Sequence, residues 1–306
     1  MFTGCMVALV TPFSDDGAID EARLKDLVEF HVAQGTDVVV PCGTTGESPT
    51  LSHPEHDRVV NLVVEYAAGR VPVLAGAGSN NTGEALRLTR HAREVGAAGV
   101  LSITPYYNKP TQEGMYRHFM TIAEEGGMPM VLYNVPGRTG VSIAPETVAR
   151  LARHPNVVGI KEASGSLDQA SAILSLCDIA LVSGDDSLTL PLLSVGGKGV
   201  ISVVANIVPA DVKAMIAAFN AGEVSQALEW HRRLFPLCRA MFYETNPIPV
   251  KTAMRLLGRL NGELRLPLCP MSEANEGRLR EALAGYGLLS RRAPGRRPRT
   301  GSTRRH

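Results

Sequence analysis

Eight short apolar runs recur along the first two-thirds of the chain, at 6–10, 37–41, 73–75, 99–103, 130–134, 157–162, 179–183 and 199–203. Each is rich in β-branched residues and shows no polar alternation, the pattern of parallel strands covered on both faces. Between them lie segments of helical period at 21–33, 55–68, 83–95, 112–125, 145–153, 167–176, 187–195 and 210–220. Strands and helices that alternate in this way predict an α/β protein, a (β/α)8 TIM barrel over 1–222. The competing arrangement is an open doubly wound sheet, but its dinucleotide fingerprint fails at the third glycine of Gly76-Ala-Gly78-Ser-Asn-Asn81. Beyond 222 the pattern changes. Segments 223–243, 249–260 and 274–286 read as three helices with no strand between them, a C-terminal helical domain spanning 223–290.

Composition narrows the class. Of 306 residues 44% are hydrophobic, an ordinary globular proportion. No apolar run approaches the ~18 residues that cross a bilayer. The N-terminus has no basic region before its short apolar stretch, so neither a membrane anchor nor a signal peptide is expected. The net charge of +1 is a cancellation: residues 291–306 carry seven Arg and no acid, leaving 24 basic against 30 acidic residues in the rest. That Pro-, Gly- and Arg-rich tail predicts disorder, and an incidental solvated extension is the expected reading, a nucleic acid or acidic partner the alternative. For the acidic body no nucleic acid is expected. Five cysteines at 5, 42, 177, 238 and 269 form no Cys-x-x-Cys pattern. They predict no metal site and fit a reducing cytoplasm. Walker, His-Glu-x-x-His and Gly-x-Ser-x-Gly motifs are absent.

In such a barrel the chemistry collects where strands end. There the sequence places Cys42-Gly-Thr-Thr-Gly-Glu47, Thr104-Pro-Tyr-Tyr-Asn108, Tyr133-Asn-Val-Pro-Gly-Arg-Thr-Gly140, Gly159-Ile-Lys-Glu162 and Ser183-Gly-Asp-Asp186. Lys161, one of six lysines, follows an apolar strand directly. An amine dehydrated in a barrel mouth can attack a carbonyl and form a Schiff base; alternatively, Lys161 snorkels outward or pairs with Glu162. Tyr133 and Tyr107 could pass protons with Thr44 as relay, or simply pack. The Gly43-Thr-Thr-Gly46 turn can cradle a carboxylate, and Arg138 can grip a second one through its planar fork or stand as a surface loop residue.

Jointly, Gly43-Thr-Thr-Gly-Glu47, Tyr106-Tyr107-Asn108, Tyr133-Asn-Val-Pro-Gly-Arg-Thr-Gly140, Gly159-Ile-Lys-Glu162 and Asn246-Pro-Ile-Pro-Val-Lys251 resemble the dihydrodipicolinate synthase family of pyruvate-dependent class I aldolases, over about residues 2–290. The resemblance implies a Schiff base of pyruvate on Lys161 and no metal or organic cofactor. Thr44, Tyr133 and Tyr107 would relay protons, with Tyr107 reaching in from a neighbouring subunit. Thr45 would hold the pyruvate carboxylate, Gly184 and Ile201 would line the pocket, and Arg138 would bind the carboxylate of L-aspartate 4-semialdehyde. It further implies a homotetramer and, in regulated members, an L-lysine site matching Ser48, His53, His56, Asn80, Glu84 and Tyr106. Pro49 departs from the Ala of some regulated relatives. Ser52-His-Pro-Glu55 also reads as a capping box whose histidines merely decorate a first helical turn. Sialic acid lyases and keto-deoxy sugar aldolases share the fold and the lysine but usually lack the Pro-Gly-Arg-Thr-Gly loop. A catalytically silent binding paralogue is the remaining alternative.

Overall fold

The computed structural model describes residues 2–290; the Arg-rich segment 291–306, expected to be disordered, lies outside them. Eight parallel strands are present: β1 (Gly4–Ala8), β2 (Val38–Val40), β3 (Leu74–Gly76), β4 (Gly99–Ile103), β5 (Met130–Asn134), β6 (Val157–Glu162), β7 (Ala180–Ser183) and β8 (Gly199–Ser202). They pair in the order β2-β1-β8-β7-β6-β5-β4-β3. A parallel bridge between Val39 and Val73, with the Val39 N–H donating to the Pro72 carbonyl at 3.0 Å, joins the two ends into a barrel. The predicted TIM barrel is the observed fold.

The barrel explains why its strands lack polar alternation. Met6 and Ala8 of β1 turn inward to meet Val38, Val40 and Ile201, while Cys5 and Val7 pack outward against the helices. Both faces are dry, so both must be apolar. The first strand begins two residues earlier than the apolar run predicts, because Gly4 pairs with Gly199 in register. Val10, at the other end of that run, is buried, but its N–H goes to the Asn206 side chain at 3.2 Å instead of a neighbouring strand.

Helices α1 (Glu21–Ala33), α2 (His53–Ala67), α3 (Thr82–Glu94) and α4 (Gln112–Gly126) each begin at a side-chain cap: Asp20, Ser52, Asn81 and Thr111 accept from the first-turn N–H groups. A single helical turn, α5 (Pro136–Thr139), occupies what reads in the sequence as a loop. Pro136 opens it, and Gly140 at φ +74° closes it. Four residues are too few to show a helical period, so the sequence pattern misses it. The barrel is completed by α6 (Pro145–Leu151), α7 (Leu167–Leu176), α8 (Thr189–Ser194) and α9 (Pro209–Asn220).

Three further helices follow, α10 (Val224–Ala240), α11 (Ile248–Leu256) and α12 (Glu273–Tyr286), as the strand-free pattern predicts. Leu234, Leu237, Met254, Leu279 and Leu283 join the same hydrophobic cluster that lies between the barrel and its helices. Arg259 donates to the Asn206 and Ile207 carbonyls at 3.0 and 3.1 Å, and Tyr286 donates to Asp211 at 2.5 Å. These bonds seat the C-terminal segment against the residues that follow β8 and the first turn of α9.

Candidate active site

β5 and β6 pair so that Tyr133 stands beside Lys161. Successive side chains on a strand point to opposite faces, so Lys161 turns into the barrel and Glu162 turns out. Lys161 is 6% exposed, and its Nζ lies 4.2 Å from the centre of the Tyr133 ring. Among the described residues the lysine ion pairs are those of Lys213 and Lys251; Lys161 has none. It therefore neither snorkels outward nor pairs with Glu162. The Glu162 carboxylate is occupied on the other face, accepting from Asn134 Nδ2 at 3.0 Å and the Ser164 N–H at 2.7 Å, and burial raises its pKa. Gly184 makes room for the lysine stem: a Cβ there would stand 2.4 Å from that of Ala163 and 3.1 Å from Lys161 Cε.

Around Lys161 is a cavity of about 60 Å3, and Thr44, Thr45, Tyr133, Arg138, Gly184 and Ile201 line it. The fold thus brings together every expected catalytic and substrate-binding residue except Tyr107. That side chain is 89% exposed, on a residue held at φ +71°, and lies outside the cavity of its own chain. Among the described residues the tyrosine phenol with a side-chain hydrogen bond is that of Tyr286. Tyr133 and Tyr107 are not linked to each other or to Thr44 within one chain.

The Gly43–Glu47 turn is fixed from below. Cys42 and Glu47 both adopt left-handed backbone, at φ +56° and +55°. Thr11 Oγ1 donates to the Gly46 carbonyl at 2.7 Å. Glu47 and Lys251 form an ion pair of 2.6 Å with both side chains 0% exposed. Lys251 donates also to the Thr11 carbonyl at 3.0 Å, and the Arg265 N–H donates to the other Glu47 oxygen at 3.2 Å. Burial lowers the Lys251 pKa against the opposing pull of Glu47. Just before α11, Asn246 Nδ2 donates to Thr45 Oγ1 at 2.9 Å, and its carbonyl accepts from Arg138 at 3.4 Å. Asn246, Lys251 and Asp185 have no role in the sequence reading. The signal for Lys251 was a charge amid the apolar positions of a helix, and the other two are polar residues at strand or helix ends.

A second cavity, of about 510 Å3, opens beside the first and shares Thr44, Tyr133 and Arg138 with it. Ser48, His53, His56, Glu84 and Tyr106 line it; Asn80 does not, but donates to the Tyr106 carbonyl at 3.1 Å. The capping box at Ser52 and Glu55 is present, so that reading of Ser52-His-Pro-Glu55 holds. Yet the two histidines do not merely decorate the turn. His53 meets Glu84 at 2.5 Å, and Ser79 also donates to that carboxylate. The Ser79 and His53 hydrogen bonds hold Glu84 below the usual carboxylate range. His56 is buried with Nε2 2.9 Å from the Gly76 carbonyl, and burial lowers its pKa. Among the described residues no group of three or more His, Cys, Asp or Glu side chains is placed to hold a metal ion.

Fold and site together define a TIM barrel with a buried lysine in a cavity at its strand ends, flanked by groups suited to carboxylates. The chain matches the model of the Dihydrodipicolinate synthetase family over residues 1–285, and it belongs to that family. It is 58% identical over 291 residues to 4-hydroxy-tetrahydrodipicolinate synthase of Nitratidesulfovibrio vulgaris, covering 94% of this chain and 99% of the relative. Such relatives are lyases, and so is this protein. A solved dihydrodipicolinate synthase from Cyanidioschyzon merolae, with lysine bound, superposes with a TM-score of 0.92 at 43% identity, covering 94% of this chain and 99% of that one. The structure of a monomeric dihydrodipicolinate synthase variant superposes equally well (TM-score 0.92, 46% identity, 94% and 98% coverage).

Proposed function

We propose that the protein condenses pyruvate with L-aspartate 4-semialdehyde to give 4-hydroxy-tetrahydrodipicolinate, a step of lysine and diaminopimelate biosynthesis. The observation that carries this reading is Lys161 itself: buried, unpaired and stacked on Tyr133 in a cavity that also holds Thr45 and Arg138. Its amine attacks the pyruvate carbonyl carbon, water leaves, and an imine forms. Loss of a methyl proton then gives an enamine, and Tyr133 and Thr44, which line the same cavity, carry that proton. The Thr45 hydroxyl, oriented by Asn246, is the partner for the pyruvate carboxylate. The enamine carbon attacks the aldehyde carbon, whose oxygen takes up a proton. The α-amine of the second substrate next attacks the imine carbon, and the Lys161 amine departs as the ring closes. No metal or organic cofactor enters this sequence.

Arg138 lines both cavities, and its fork suits the carboxylate of the second substrate. It separates this reading from a sugar-directed aldolase, while the intact Lys161 cavity separates it from a silent binding protein. Borohydride with pyruvate should add a stable mass to the peptide carrying Lys161; no adduct, or one elsewhere, rejects the mechanism. Arg138→Ala should cripple turnover of aspartate semialdehyde and spare the pyruvate adduct. Equal or better turnover of sugar-derived aldehydes would favour the other aldolase reading.

The larger cavity fits a regulatory L-lysine. Glu84 and Ser48 offer acceptors for its ammonium groups, and His53 and Tyr106 complete the walls. Millimolar L-lysine should slow turnover, and Glu84→Ala should abolish that response. An enzyme indifferent to lysine excludes the regulatory role. Tyr107, exposed and outside its own cavity, would act across a subunit contact, for which a homotetramer built from tight dimers is the proposed assembly. Five free thiols fit a cytoplasmic location.

A further inference from the structure

The Lys161 cavity contains one charged group that the proposed chemistry leaves idle. Asp185 follows β7 and lines the same cavity as Lys161, Arg138 and Asn246. Its backbone is anchored, for Ser183 Oγ donates to the Asp185 carbonyl at 2.8 Å and accepts the Asp185 N–H at 3.2 Å. Its carboxylate is different: among the described residues it takes part in no ion pair and accepts no hydrogen bond. Asp186, next along the chain, shows the contrast. That side chain turns away from the cavity and accepts from the Val203 and Val204 N–H groups at 3.0 and 2.9 Å, a structural role. Asp185 is half-buried; burial raises its pKa and the charge of Lys161 opposes that rise, so the carboxylate lies within the field of the reacting amine.

A half-buried carboxylate without a donor in its own chain is an acceptor open to a cation that enters the cavity. Within the cavity the fixed positive groups are Lys161 and Arg138. Once Lys161 is tied up in an imine and Arg138 holds a substrate carboxylate, Asp185 remains as the acceptor for one further positive group. The reactants supply one such group: the α-ammonium of an amino-acid aldehyde, carried on the same carbon as the carboxylate.

We propose that Asp185 is a specificity-determining residue whose carboxylate receives the α-ammonium group of the aldehyde substrate, so that Arg138 and Asp185 together read an α-amino acid. This rests on the aspartate-semialdehyde reading above. It also bears on ring closure, because the nitrogen held by Asp185 is the one that attacks the imine carbon once its ammonium has given up a proton, which the departing Lys161 nitrogen takes up.

The test compares wild type with Asp185→Asn, which keeps shape and removes charge, using two aldehydes: aspartate semialdehyde as substrate and succinate semialdehyde, which lacks the amino group, as competitive inhibitor. A lost charge-assisted contact predicts a rise of about tenfold or more in KM for aspartate semialdehyde. The inhibition constant of succinate semialdehyde and the pyruvate concentration that half-saturates borohydride trapping should stay within about twofold. Both aldehyde constants rising together, or neither moving, would overturn the assignment. A change confined to pyruvate trapping would make Asp185 a partner of Lys161 alone, and would overturn it too. If wild type traps pyruvate but makes nothing from aspartate semialdehyde, the substrate reading itself fails and the assignment falls with it.

Discussion

Glu47→Gln is the most searching single change for the frame of the site. Glu47 and Lys251 meet at 2.6 Å with both side chains 0% exposed, so the substitution strands an ammonium where water cannot reach it. Breaking such a pair from one side costs about 3–5 kcal/mol, most of it the penalty of the charge left behind. Lys251 can shed part of that cost by losing its proton, since burial already lowers its pKa. The damage should not stop at stability. Glu47 ends the turn that carries Thr44 and Thr45, and its second oxygen ties that turn to the Arg265 backbone at 3.2 Å. A turn loosened by even about 1 Å can cost up to about a hundredfold in rate, so pyruvate KM should rise or kcat should fall. Urea unfolding followed by the fluorescence of Trp230, the chain's single tryptophan, measures the first effect, and steady-state kinetics measures the second. The companion variant Glu47→Gln/Lys251→Met removes both charges and should recover most of the lost stability. A single variant within about 1 kcal/mol of wild type, or a double variant no better than the single, refutes the argument.

The remaining predictions concern acid sensitivity and backbone packing. Burial holds His31 at about 3 and His118 at about 4, so both are neutral in the native state. Because these folded values lie below the unfolded one, their stabilisation is complete above the unfolded pKa of 6.5 and is lost as pH falls from there towards the folded values. At pH 5 each should cost about 2 kcal/mol, seen as a lower urea midpoint than at pH 7, and His118→Gln should flatten the slope; a slope unchanged by that substitution contradicts the assignment. Gly76→Ala should be strongly destabilising, because its Cβ would fall 2.1 Å from the Cys42 carbonyl oxygen and push the Cys42–Gly43 peptide towards the cavities. About 1–3 kcal/mol or more should be lost together with activity, and a well-folded, fully active variant would show that the turn can yield.

Much of the site is legible in the sequence because barrel geometry turns position along a strand into position in space. Lys161 lies at the end of a dry strand and Tyr133 at the end of the preceding one, so in-register pairing of parallel neighbours places them together without further information. Gly43-Thr-Thr-Gly46 is readable for the same reason, lying just past β2. Asn246 and Lys251 are not. They lie in the helical extension and reach Thr45 and Glu47 across more than two hundred residues, contacts that no local spacing encodes. Asp185 and Asp186 are adjacent and identical in the sequence, and only the packing of the β8 end separates the carboxylate that accepts two backbone N–H groups from the one that lines the Lys161 cavity.

The sequence alone determined the strands, the longer helices and their alternation, since a run with two dry faces must be apolar throughout and a helix on its surface must repeat with its own period. It also named the lysine, the threonines and the arginine. Only the tertiary structure decided which alternative each residue takes: that Lys161 is unpaired and Glu162 occupied elsewhere, that the histidines of a real capping box also line a cavity, and that Tyr107 leaves the site of its own chain. Those choices are set by burial and by which polar partner comes within about 3 Å, and such distances arise only when distant segments are brought together.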